Sequence, residues 1–161
     1  MQKLIDCYGD SLLRLCYLYL HDLQLAEDAV QETYLRIYRS YASFRGDGCN
    51  EKTWMTRIAI NICKSMRRSA YYRHIFLPGG APLSEDALSA DDSPVWDDTV
   101  LRAVALLRPK YRAVVLLFYY QQLSTKETAS ALGISESAVS ARLSRARAEL
   151  REQLKGWYFD A

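Results

Sequence analysis

Two clusters of basic and small polar side chains have the chemistry to touch nucleic acid. In the stretch Ser124–Leu150, Arg142 and Arg145 offer guanidinium forks, which match phosphates and guanine edges alike. Ser137, Ala138 and Ala141 lie just before them and are small enough to permit close approach to bases. The second cluster is Arg57, Lys64, Arg67 and Arg68 around Asn61. The cations suit phosphates, which dominate affinity, and the Asn side chain carries donor and acceptor together. Cysteine and histidine offer no rival chemistry. Cys7, Cys16, Cys49 and Cys63 form no CxxC pair, and His21 and His74 are not clustered with them. A metal site usually needs two close ligand pairs, and no nucleophile–base pair stands out, so no metal, catalytic residue or cofactor is expected. The cysteines read as reduced and mostly buried, with Cys49, in a polar Gly-containing stretch, at the surface.

The elements that must carry these clusters are helices, because apolar residues recur at helical spacing and strand signals are nearly absent. Leu4, Ile5, Tyr8, Leu12, Leu15, Cys16, Tyr19 and Leu20 mark a first helix; Ala26, Ala29, Val30, Tyr34 and Ile37 mark a second, with Asp22 as its N-cap. Residues 43–50 form a loop. The pattern predicts a third helix over Thr53–Ala70 with an apolar stripe of Trp54, Ile58, Ile62 and Met66, which makes Trp54 core; Phe44 is open to either core or stacking. A helix is expected from Asp97–Asp98 to Leu107, and Pro109 suits the first turn of the next. Ser124-x-x-Glu127 is a capping box, Gly133 a left-handed turn residue with Ile134 at the corner, and Ser135 an N-cap. The last helix turns Val139, Leu143, Ala146 and Leu150 inward. Two helices around a short Gly turn, the second with outward Ser and Arg, read as a helix-turn-helix.

Composition sharpens the layout. The 161 residues carry a net charge of +2, which hides a cancellation: residues 1–75 hold +3, residues 76–100 hold −6 with no Lys or Arg, and residues 101–161 hold +5. Half the residues are hydrophobic, enough to fill a core. The longest charge-free run, Ala113–Thr125, is 13 residues, short of the roughly 18 that a membrane span needs. The first residues lack an apolar signal stretch, so a cytoplasmic address without membrane insertion is expected. The expected organisation is all-α, with two small helical domains at 1–75 and 97–161 joined by a flexible acidic Pro/Gly linker at 76–96.

The run Ala26-Glu27-Asp28-Ala29-Val30-Gln31-Glu32-Thr33-Tyr34-Leu35-Arg36, then Phe44-Arg45-Gly46, then Thr53-Trp54-Met55-Thr56-Arg57-Ile58-Ala59-Ile60-Asn61 resembles region 2 of bacterial sigma factors. Leu106-Leu107-Arg108-Pro109-Lys110-Tyr111-Arg112 and the helix-turn-helix resemble region 4. The order and separation are similar to the extracytoplasmic-function (ECF) group of the sigma-70 family, and cover about residues 4–70 and 98–154.

The resemblance implies a non-catalytic initiation factor that binds core RNA polymerase and directs promoter-specific initiation. It implies that Glu27, Asp28, Gln31, Glu32 and Leu35 dock on the β′ clamp coiled coil, with region 4 meeting the β flap. It implies that the loop Ser43–Thr53, with Phe44, Arg45, Gly46 and Asn50, captures an unpaired −10 base, helped by Arg57, Asn61, Lys64, Arg67 and Arg68. Thr125, Ser135, Ser137, Ala138, Ser140, Ala141, Arg142 and Arg145 fall to −35 duplex DNA. An anti-sigma factor is an implied partner. Two positions depart from the family pattern: Thr128 stands where Ile is frequent, and Ser140 where a basic residue is common. The tail 156–161 has no counterpart and is expected to pack back. The alternative is a stand-alone helix-turn-helix regulator, which has no need of the first domain's patterns.

Overall fold

The computed structural model describes residues 2–46, 50–76 and 98–159, with side chains given from 3 to 69 and 99 to 155 within those spans. Residues 77–97, with nearly all of the expected linker, lie outside the described residues, as do Cys49 and the side chains of the C-terminal tail. All regular structure among the described residues is helical: α1 (Gln2–Leu20), α2 (Leu23–Ser40), a short 3-10 turn (Tyr41–Ser43), α3 (Glu51–Phe76), α4 (Asp98–Leu106), α5 (Pro109–Val115), a π-helical turn (Leu116–Tyr120), α6 (Thr125–Leu132) and α7 (Glu136–Phe159).

Local rules set most boundaries. His21 turns the chain at a φ of 55°, and Asp22 then caps α2 by accepting the Leu25 N–H at 2.9 Å. Asn50 caps α3, its Oδ1 accepting the Thr53 N–H at 2.8 Å. That helix starts two residues earlier and runs six residues further than its apolar pattern predicts. Nothing between Ala70 and Phe76 breaks a helix; proline first appears at position 78. Pro109 opens α5 as expected, but the helix expected to follow it ends at Val115, where the backbone widens into the π turn.

The core is continuous across both halves. Leu12, Leu15, Cys16, Ile37, Ile60 and Cys63 are buried among α1–α3, and Val114, Leu117, Leu132, Val139 and Leu143 among α4–α7, in one cluster. Each large aliphatic side chain so buried contributes about 1.5–3 kcal/mol. α1 packs against α4, α5 and the π turn as well as α2 and α3, and α3 packs against α6. Arg112, 4% exposed, closes this joint. Its guanidinium donates to the Val104, Ala105 and Leu107 carbonyls around the end of α4 and to the Tyr19 carbonyl near the end of α1. Those carbonyls include helix-end acceptors that lack an intrahelical donor. Gln121, equally buried, donates to the Ser11 carbonyl at 3.2 Å. Of the cysteines, Cys16 and Cys63 are buried free thiols as expected, whereas Cys7 is exposed, because it lies outside the buried stripe of Leu4, Leu12, Leu15 and Tyr19 on α1.

Candidate nucleic-acid interface

On α2, Glu27, Asp28, Gln31 and Leu35 are exposed and Glu32 is half-buried. Asp28, Gln31, Glu32 and Leu35 line a cleft of about 390 Å³ closed on the far side by Ile62 and Met66 of α3. Arg36 donates to Glu32 at 2.7 Å, leaving Glu27 and Asp28 as the carboxylates turned to solvent. Leu35 and Tyr38 are 50% and 73% exposed. The face is thus an acidic-polar ridge with an apolar floor, fit for a protein surface carrying basic groups around an apolar contact.

The loop after α2 folds its aromatics inward onto the start of α3. Phe44 stacks on Trp54 with centroids 4.6 Å apart, Tyr41 tilts against the same ring at 6.3 Å, and its hydroxyl donates to Glu51 at 2.9 Å. Trp54 is half-buried rather than full core, because it forms the floor of this aromatic group. Arg45 and Gly46 remain exposed, and Gly46 adopts a φ of 70° that a side chain would strain. Along α3, Arg57, Asn61 and Arg68 are exposed, while Lys64 and Arg67 are half-buried. Burial, and then the nearby Arg142 guanidinium, lower the Lys64 ammonium's proton affinity.

The helix-turn-helix has the expected geometry. Ser124 Oγ accepts the Glu127 N–H at 3.2 Å, and Glu127 Oε2 accepts the Ser124 N–H at 2.9 Å. Gly133 sits at φ 66°, and Ser135 Oγ accepts the Ala138 N–H at 3.1 Å. Val139, Leu143 and Ala146 are buried and Leu150 is packed against the core. Ser135, Ser137, Ser140, Ala141 and Arg145 are exposed; Thr125, Ala138 and Arg142 are half-buried.

The two clusters are not separated. Glu127 Oε1 accepts from Asn50 Nδ2 at 3.1 Å and from Thr53 Oγ1 at 2.9 Å, and Lys52 Nζ donates to the Gln121 carbonyl at 2.6 Å. The Ser124 N–H foremost, then the Ser124 hydroxyl, with smaller help from Thr53 and Lys52, hold the Glu127 carboxyl below the usual carboxylate range. Sequence reasoning missed Lys52, Thr53, Gln121 and the second oxygen of Glu127. Their partners lie 69 to 110 residues away, and no local pattern announces them. A larger apolar groove, about 930 Å³, runs between α4, the π turn and α7, with Val100, Val104, Leu116 and Leu150 on its walls and Arg151 and Lys155 among its lining.

A Sigma-70 region 2 family model matches residues 4–71, and a Sigma-70 region 4 model matches residues 97–150. The ECF RNA polymerase sigma factor SigW of Bacillus subtilis (strain 168) is 32% identical, the alignment covering 94% of this chain and 87% of that protein. SigG of Mycobacterium tuberculosis (strain CDC 1551 / Oshkosh), another ECF sigma factor, is also 32% identical over 89% of this chain but only 46% of its own length. Among solved structures, the sigma factor RpoE in complex with the anti-sigma factor NepR from Bartonella quintana shares the fold, with a TM-score of 0.76 and 23% identity over 96% of each chain.

Proposed function

The chain belongs to the ECF group of the sigma-70 family and serves as an RNA polymerase sigma factor in transcription initiation; from that premise we propose how its surfaces divide the work. It is a regulatory DNA-binding protein rather than an enzyme. α7 enters the major groove of a −35 element by its N-terminal end, where Ser137, Ala138 and Ala141 permit approach and Arg142 and Arg145 reach guanine or phosphate. Ser135 and Thr125 hold the flanking backbone, and Ser140 makes a weaker contact than a cation would. Arg57, Asn61, Lys64, Arg67 and Arg68, with the loop of Phe44, Arg45, Gly46 and Asn50, receive the unpaired −10 strand. Polymerase does the chemistry, and the protein stabilises melting by trapping unpaired bases.

The observation that carries this reading is the joint presence, in one chain, of the capped helix-turn-helix and the Asp28–Gln31–Glu32–Leu35 cleft. A stand-alone regulator needs only the first. The cleft suits the polymerase clamp coiled coil, and the apolar groove on the region 4 side suits a helical flap element. The fold neighbour RpoE is a sigma factor in complex with an anti-sigma factor, which supports an anti-sigma partner here. A cytoplasmic location follows from the site of action; among the described residues no helix is long and apolar enough to cross a membrane.

Run-off transcription with bacterial core polymerase on the fragment upstream of the protein's own gene tests this. Transcripts should depend on the protein. Asp28→Ala with Gln31→Ala should abolish polymerase binding and transcripts yet leave duplex binding by region 4 intact. Transcription that survives those two changes would refute the docking assignment. Binding to −35 duplex should also weaken with salt, in proportion to the phosphates neutralised.

A further inference from the structure

The Glu127 carboxylate occupies groups that the −10 strand would need. Its two oxygens are divided: Oε2 serves Ser124 in the capping box, and Oε1 faces out of α6 to take the Asn50 amide and the Thr53 hydroxyl. Thr53, at the rim of the loop read as the base-capturing element, is 1% exposed because α6 covers it. Asn50 is exposed, so its amide is a donor that a strand could reach if Glu127 were not on it. A carboxylate presents these donors with what a base carbonyl or phosphate oxygen would present: an acceptor, here with full negative charge. It also repels an approaching phosphate. Beside it, the Lys52 ammonium, a natural phosphate partner, gives one of its three donors to the Gln121 carbonyl at 2.6 Å. Arg142 of α7 also lies near enough to Lys64 of α3 to lower its proton affinity, after burial.

We propose that Glu127 is an autoinhibitory latch: held by its own helix cap, its carboxylate takes the place of −10 DNA at Asn50 and Thr53 and keeps free protein from engaging single strands until α6 shifts off the loop. This rests on the reading of residues 43–68 as the −10 surface. The contact is small, two side-chain hydrogen bonds to one charged oxygen, so it suits a latch that polymerase and promoter binding at other faces can open. The side-chain bridges from Arg112 to Tyr19 and from Gln121 to Ser11 are separate from it and keep the halves together when it lets go.

Glu127→Gln separates the latch from the cap. An amide has one accepting oxygen, and Gln is itself a good third residue of a capping box, so it can serve Ser124 or the loop, but not both. Thr53→Val removes a latch donor from the other side at nearly constant shape. The full chain, without polymerase, is titrated against a short labelled pool of single-stranded DNA of random sequence at fixed salt, and amide exchange is followed at residues 50–56 and 121–128. With the closed form dominant, strand affinity scales with the open fraction. Glu127→Gln should tighten strand binding about tenfold and speed exchange in both segments. As a single change Thr53→Val should also speed exchange and tighten strand binding, but it should add little on top of Glu127→Gln, since the two share one interaction. Asn61→Ala serves as the marker of the −10 surface. Unchanged exchange and affinity in Glu127→Gln, while Asn61→Ala still weakens strand binding, overturns the latch and leaves the −10 assignment standing. Faster exchange with no gain in affinity overturns the inhibitory role, and if Asn61→Ala then also changes nothing, the −10 assignment falls with it.

Discussion

Arg112 and His21 lie together at the joint between the halves, and each makes a separable claim. Arg112 keeps its charge at neutral pH although burial foremost, then Arg67, lowers its pKa to about 10. Its donors satisfy carbonyls that water cannot reach. Arg112→Met should therefore destabilise the protein by about 3 kcal/mol, read as a lower urea midpoint at unchanged slope. A loss under about 1 kcal/mol would mean that the carbonyls find other partners. His21 is pushed down to about 4, by burial first and then by the Arg112 and Arg67 guanidiniums, and its Nε2 is buried without a hydrogen-bond partner. The unfolded chain's imidazole takes a proton below about 6.5, and the folded one does not until about 4. Stability from this site is full above the higher value and is lost as pH falls through that window. The loss should reach about 1–3 kcal/mol, and His21→Asn, which tolerates the positive φ, should flatten the slope. An equal slope in that variant would assign the acid sensitivity elsewhere. Neither role was legible in sequence. Arg112 stands out there only as part of a family motif, because its acceptors come from the ends of two helices, one of them 93 residues away.

At the scale of elements, the helix-turn-helix was almost wholly legible, because its signals are local. In their capping and turn roles Ser124, Glu127, Gly133 and Ser135 each act within four residues, and each sits where its type is cheapest. Gly133 has open space around the position of a Cβ, so the cost of a side chain there is purely backbone. Gly133→Ala should lower stability by about 1 kcal/mol, and Gly133→Asn by less, measured by thermal unfolding; equal losses would point to packing instead of φ. The C-terminal end of α3 was misjudged for the complementary reason: a helix stops at a breaker or when packing ends, and the apolar pattern shows only the packed part. Trp54 shows the same limit. Its place on the apolar stripe was right, but that Phe44 would stack on it depends on how the loop returns.

For the molecule as a whole, the charge pattern and the two family motifs suggested two tethered domains, and the structure adds a core that runs through both. A chain with one core should unfold as one unit. Urea unfolding followed by far-UV circular dichroism and by amide exchange in α2 and in α6 should give coincident midpoints. Two resolved transitions would mean that the shared burial around Leu15, Leu117 and Arg112 contributes little. The pairing was invisible beforehand because faces that bury against another unit look, in sequence, like faces that bury within their own.

The π turn at Leu116–Tyr120 sets the phase of everything after it. A π turn amounts to one residue more than an α-helical turn would hold, and one residue is a rotation of about 100° about a helix axis. With it, the Tyr119 hydroxyl meets Arg147 at 2.7 Å and the Gln121 amide meets Ser11. Without it, those two side chains would swing a quarter-turn away, the first off α7 and the second off α1. The single surplus residue therefore acts as an angular key: it sets the direction from which the helix-turn-helix leaves the core. A one-residue deletion there would re-aim the hairpin while leaving each of its helices intact.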